Sequence, residues 1–78
     1  MLNEAEVLKA IGHAIEDPTF NINSNTDNSE NWDSLGVLSI ITTLAKLTSG
    51  ESEKIPDLVS ISSAAELIKV LRENHLVA

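Results

Sequence analysis

Few residues of this chain could carry out chemistry by themselves. Cysteine is absent, so the protein has no thiol nucleophile, no thiolate metal ligand and no disulfide. The two histidines, His13 and His75, cannot form a closed zinc site without carboxylate ligands. A catalytic group could be drawn from Ser34, His13 and Asp33, but adjacent aspartate and serine residues cannot supply an ordered serine–base–orienter relay. The chain is therefore predicted not to be an enzyme.

A candidate metal site is the run of Asn23, Asn25 and Asp27, which imitates the start of a calcium-binding loop. A loop of that type needs glycine at its sixth position and a bidentate glutamate at its twelfth. Those positions are Asn28 and Ser34 here. The sequence therefore argues against calcium, and no metal site is predicted.

The remaining candidate is the segment N-W-D-S-L-G at residues 31–36, which leads into a run of apolar residues. One interpretation is a plain helix start, in which Asp33 or Ser34 caps free backbone N–H groups and Trp32 packs against the helix. Under this interpretation the protein is a helical interaction module without catalytic activity, and Ser34 is only a helix cap.

The elements that would position this segment are predicted to be helices. Apolar residues recur at helical spacing over about 3–16, over about 34–48 and from residue 63 onward. Asn3 and Ser63 are the expected caps of the first and last helices, because a glutamate follows each of them three residues later. No segment shows the alternation of a strand, so residues 1–78 are predicted to form one all-α domain.

Two connections complete this prediction. The first is a long asparagine-rich loop, residues 17–33, which the apolar side chains of Phe20, Ile22 and Trp32 are expected to hold against the core. The second leads to a short turn or helix over residues 57–60. Long loops in small domains are often functional, which makes the loop before residue 34 a place of interest.

The charge of the chain limits its partners. Its 78 residues include twelve acidic and five basic side chains, a net charge of −7. Seven acidic residues and one lysine give residues 1–33 a net charge of −6, while five acidic and four basic residues give residues 34–78 a net charge of −1. We expect no nucleic acid or membrane partner, because both surfaces are anionic. No signal peptide and no run of ~20 apolar residues is seen, so a cytoplasmic protein is expected.

The order of these features resembles the acyl carrier protein family. The matching motifs are D-S-L at residues 33–35, I-P-D at residues 55–57 and I-S-S at residues 61–63, and together they span nearly the whole chain. The W-D-S-L-G form at residues 32–36 is similar to that of stand-alone carriers of specialised pathways. The resemblance implies a small four-helix bundle of the acyl-carrier type, with a long first loop and a short third helix.

The resemblance also implies a function. In this family a phosphopantetheinyl transferase attaches 4′-phosphopantetheine from coenzyme A to the motif serine, here Ser34, and Asp33 and Leu35 complete the attachment motif. The prosthetic thiol carries an acyl or aminoacyl group as a thioester. A ligase or acyltransferase loads that group, and condensing or transfer enzymes of a fatty-acid, polyketide or other specialised pathway use it. The residues expected to face the acyl chain or a partner are Trp32, Val37, Leu38, Ile40, Ile41 and Ile61.

One departure from the fatty-acid carriers concerns the partners. Positions that are acidic along the second helix of those carriers are Gly36, Ser39 and Ala45 here. Charges at the rim of an interface mainly set the encounter rate and exclude wrong partners. We therefore expect a monomeric carrier with dedicated partner enzymes, which it contacts through apolar side chains such as Val37 and Ile40.

Overall fold

The computed structural model of this protein describes residues 2–78, and helices dominate this range. Its elements are α1 (Glu4–Ala14), α2 (Ser34–Leu47), a 3₁₀ turn at Glu51–Lys54, a second 3₁₀ turn at Leu58–Ser60, and α3 (Ala64–Glu73). No strand occurs in residues 2–78, where only isolated bridges join Leu2 to Val77 and Asn25 to Ser63. The all-α class is confirmed. A four-helix bundle is not, because a single 3₁₀ turn stands where a short third helix was expected.

The start of α1 follows its predicted capping. The side-chain oxygen of Asn3 accepts a hydrogen bond from the backbone N–H of Glu6 at 2.8 Å. The face of the helix that meets the core is formed by Val7, Ile11 and Ile15. The helix ends at Ala14, two residues before the predicted end, because the chain turns away through Glu16 in a left-handed conformation with φ of 55°.

The end of α2 leads directly into the first 3₁₀ turn. Leu47 is its last residue, one earlier than predicted, and Gly50 reverses the chain with φ of 87°. The hydroxyl of Thr48 donates to the carbonyl oxygen of Leu44 at 2.7 Å and accepts from the backbone N–H of Ser52 at 3.0 Å. The turn is therefore fixed to the helix that precedes it.

The core lies where the three α-helices meet. Apart from Trp32 it is aliphatic, and its largest fully buried side chains are those of Ile11, Leu44, Leu67, Ile68 and Leu71. Trp32 is 5% exposed, and its ring centroid lies 5.7 Å from that of Phe20, which packs against the core with Ile22. These contacts confirm the predicted attachment of the long loop. Within residues 2–78, no helix has the length and apolar character needed to cross a membrane.

Candidate functional site

The loop before α2 is built from hydrogen bonds between side chains and backbone. Asn25 Oδ1 accepts from the backbone N–H groups of Asp27 at 2.8 Å and Asn28 at 3.0 Å. Asn28 Oδ1 accepts from the backbone N–H of Asn25 at 2.8 Å. Of the three side chains that a calcium loop would offer to an ion, Asn25 thus uses its amide oxygen to close a turn. In the part of the chain that the structure describes, no three acidic or histidine side chains are grouped to hold a metal ion.

The end of the same loop is fastened to α1. Asn31 Nδ2 donates to the carbonyl oxygen of Ile15 at 2.8 Å, and the Ser29 hydroxyl donates to Asp17 Oδ2 at 2.8 Å. Hydrogen bonds from Thr19, and then from Ser29, hold the pKa of the Asp17 carboxyl below its ordinary value of 3.8. The segment that leads into α2 is therefore fixed relative to α1.

The cap of α2 is Asp33. Its Oδ1 accepts a hydrogen bond from the backbone N–H of Gly36 at 2.9 Å, and its backbone is extended, with φ of −116° and ψ of −164°. Only glycine fits at residue 36, because a Cβ there would overlap the carbonyl oxygen of Asn31. The sequence left the cap open between Asp33 and Ser34. The interpretation in which Ser34 is the helix cap is wrong.

Ser34 is the first residue of α2, and its side chain is exposed. Its hydroxyl makes no hydrogen bond to any other residue within 2–78, and the backbone N–H groups of Ser34 and Leu35 likewise find no acceptor there. Free N–H groups and the positive end of the helix dipole favour an anion at this position. The helix start can therefore accommodate an anionic group near the hydroxyl.

The structure separates the six residues that were expected to face an acyl chain or a partner. Five of them line one internal cleft: Trp32, Val37, Ile40, Ile41 and Ile61. The volume of this cleft is about 10 Å³, which is no more than one water molecule needs. Ile40 is 4% exposed, so in this conformation it lines the cleft and offers almost no surface to a partner. In this conformation the cleft has no room for an acyl chain.

The sixth residue, Leu38, is one of three exposed large apolar side chains. Leu35 is 76% exposed and Leu38 is 61% exposed, and they lie about one turn apart on α2. Val59, in the second 3₁₀ turn, is 62% exposed. Sequence reasoning named Leu38 as a residue facing a partner and Leu35 only as part of the attachment motif. It missed Val59, because a turn of three residues has no periodicity that separates an exposed face from a buried one.

The fold and the site together define a small all-α domain that presents a free serine hydroxyl at a helix start, next to exposed leucines. No protein-family model matches the chain, and no curated protein or solved structure matches it significantly. The function of the site must therefore be inferred from its own motif and geometry.

Proposed function

We propose that this protein is a carrier that receives 4′-phosphopantetheine on Ser34 and holds an acyl or aminoacyl group on it as a thioester. The observation that supports this function is the free, exposed hydroxyl of Ser34 at the start of α2. Because Asp33 provides the helix cap, modification of Ser34 breaks no hydrogen bond of the fold. The same feature allows an enzyme to reach the hydroxyl without unfolding the helix.

The chemistry of loading fits this helix start. With magnesium and a phosphopantetheinyl transferase, Ser34 Oγ forms a bond to the pantetheine phosphorus of coenzyme A, the diphosphate P–O bond breaks, and adenosine bisphosphate leaves. The hydroxyl proton passes to a base of the transferase. The resulting phosphodiester carries one negative charge next to the free N–H groups of Ser34 and Leu35. The attached group supplies the thiol that a chain without cysteine lacks.

The surface around Ser34 supports dedicated partner enzymes. α2 contains no acidic residue and one basic residue, Lys46, whereas Leu35 and Leu38 are exposed. Docking on this helix would therefore depend on apolar contact more than on charge steering. The expected partners are a transferase, a ligase or acyltransferase that loads the cargo, and condensing or transfer enzymes that use it, each with an apolar recess for these leucines. The net charge of −7 opposes self-association, which supports a monomeric carrier.

Mass spectrometry after incubation with coenzyme A, magnesium and a broad-specificity transferase tests the proposal. The purified protein should gain the mass of one phosphopantetheine group, and Ser34→Ala should gain none. Ser39→Ala is the matched control, because Ser39 lies on the same helix and is half-buried, so that variant should load like the wild type. An unmodified wild type, or a modified Ser34→Ala variant, would contradict the carrier function.

A helical interaction module is the second candidate, favoured by the same exposed leucines. Leu35 and Leu38 could bind a partner without any prosthetic group. This candidate predicts no mass gain in the loading assay, and it predicts that partner binding is lost in Leu38→Gln but kept in Ser34→Ala. The carrier function predicts the mass gain in the wild type. It also predicts that Ser34→Ala loses its function, because that variant can no longer accept cargo.

A further inference from the structure

A large groove lies between α1 and the first turn of the long loop. Its volume is about 700 Å³, and its apolar lining consists of Ala5, Leu8, Gly12, Pro18 and Phe20. We call this surface the α1 groove. Charged side chains, among them Lys9 and Glu16, lie along it as well. Its size falls within the ~300–1,000 Å³ that is typical of small-molecule sites.

The groove is a consequence of how the loop packs on the helix. Ala5, Leu8 and Gly12 are spaced three and four residues apart, which places them on one face of α1. A Cβ at Gly12 would lie 3.2 Å from Phe20 Cβ and 3.0 Å from the carbonyl oxygen of Asp17. The missing side chain at Gly12 thus lets Phe20 lie against α1. Leu8 and Phe20 pack against the core only in part, which leaves apolar surface open to the groove.

The loop end of the groove is joined to the segment that carries Ser34. The ring of Phe20 contacts that of Trp32, with ring centroids 5.7 Å apart, and Trp32 lies two residues before Ser34. The Asn31 side chain donates to the carbonyl oxygens of Ile15 and Glu16, at the same end of α1. A flexible arm attached to Ser34 therefore begins two residues from a ring that contacts this end of the groove.

From these observations we infer that the cargo of the loaded carrier is an apolar acyl chain that lies in the α1 groove. This inference rests on the proposed loading of Ser34. The internal cleft between α2 and the second 3₁₀ turn has about 10 Å³, against about 700 Å³ in the groove. An acyl chain gains free energy from each methylene group that leaves water, so the groove is the better host.

Comparison of two loaded forms by NMR tests where the chain lies. One form receives octanoyl-phosphopantetheine on Ser34 from octanoyl-coenzyme A, and the other receives phosphopantetheine from coenzyme A. Differences in amide shifts between them report on the octanoyl chain alone. They should be largest at Leu8, Gly12 and Phe20. Differences centred on Ile40 and Ile61, or no differences in the groove, would overturn the inference.

Variants sharpen this measurement. In Leu8→Gln the equilibrium constant for groove occupancy should fall about fourfold, the effect of losing roughly one methylene group of apolar contact. Val59→Gln is the matched control, since it changes an exposed apolar side chain outside the groove and should leave the shifts unchanged. Because Leu8 is half-buried, the exposed Ala5 gives a second variant, Ala5→Lys, which blocks the far end of the groove without touching the core.

The two proposals fail in different ways. If mass spectrometry shows that neither form loads, both the carrier function and the groove inference are overturned. If both forms load, the carrier function stands. The groove inference alone is then overturned if the octanoyl-dependent shift differences lie outside the groove, or if neither Leu8→Gln nor Ala5→Lys changes them.

Discussion

The starts of α2 and α3 use the same capping geometry but leave their serines in different states. Asp33 accepts a hydrogen bond from the N–H of Gly36 at 2.9 Å, and Ser63 accepts one from the N–H of Glu66 at 3.2 Å. In α3 the serine is the cap itself, so its hydroxyl is engaged. In α2 the serine follows the cap, so the hydroxyl of Ser34 is free. A shift of one position along the chain thus separates a structural serine from one that is open to modification.

The two helix starts also differ in what holds them in place. Side chains fix the start of α2, where Asn31 and Ser29 bind to α1 and to Asp17. Backbone hydrogen bonds fix the start of α3. These run from Thr26 N–H to Ser62 O and from Ala64 N–H to Ser24 O, both at 2.9 Å. The side-chain contacts before α2 depend on which residues are present and on the protonation of Asp17, whereas the backbone hydrogen bonds before α3 do not.

The largest effect on stability is expected at the third residue of α2. Gly36→Ala places a Cβ against the carbonyl oxygen of Asn31, whereas the equivalent residue of α3, Glu66, has an exposed side chain. Overpacking of this kind costs about 1–3 kcal/mol of stability. Alanine has a helix propensity ~1 kcal/mol better than that of glycine, and we expect the overpacking cost at residue 36 to be the larger of the two. Gly36→Ala should therefore unfold at lower urea concentration than the wild type. Glu66→Ala is the control and should change the free energy of unfolding by less than ~0.5 kcal/mol. Equal changes in the free energy of unfolding for the two variants would mean that the start of α2 accommodates a substitution as easily as the start of α3.

The capping residues give a smaller contrast. Ser63→Ala removes a cap and should lower the free energy of unfolding by about 1 kcal/mol, as should Asp33→Ala. Ser34→Ala removes a hydroxyl without a partner, so its effect should stay within ~0.5 kcal/mol. Urea unfolding followed by circular dichroism measures all three. A loss of stability in Ser34→Ala as large as that in Ser63→Ala would show that the Ser34 hydroxyl has a structural role.

The sequence predicted the helices better than their relation to the core. Capping residues and apolar spacing are local signals, so the bounds of α1 and α2 differ from their predictions by two residues at most. The short third helix implied by the resemblance is only one 3₁₀ turn, Leu58–Ser60, which follows Asp57 in a left-handed conformation with φ of 60°. That angle depends on packing and is not encoded in apolar periodicity.

The site shows the same division between local and long-range information. Motif order identified Ser34, but the choice of cap depends on backbone angles when two good capping residues are adjacent. The apolar residues of α2 form two adjacent stripes, one with Leu35, Leu38, Ile41 and Ala45 and one with Val37, Ile40, Leu44 and Leu47. Spacing alone could therefore not tell that Ile40 faces the core while Leu38 faces solvent. The α1 groove was missed for a related reason. It depends on the contact of Phe20 with Gly12, eight residues apart, and single-helix patterns contain no such contact.

Acid should weaken the start of α2 more than that of α3, through Asp17. Hydrogen bonds from Thr19 and Ser29 lower the pKa of the Asp17 carboxyl in the folded protein, so its charged form is favoured by folding. Because folding lowers this pKa, the charged Asp17 carboxylate stabilises the folded protein at pH values above the pKa of the unfolded chain, near 3.8. This stabilisation is lost as the pH falls through the pKa of the folded protein. Asp17→Asn should therefore flatten the decline of the urea midpoint between about pH 5 and pH 3. Asp27→Asn, which changes an exposed acid in the same loop, is the control and should leave that decline as it is. If both variants decline like the wild type, the side chains before α2 are no more sensitive to acid than the backbone bonds before α3.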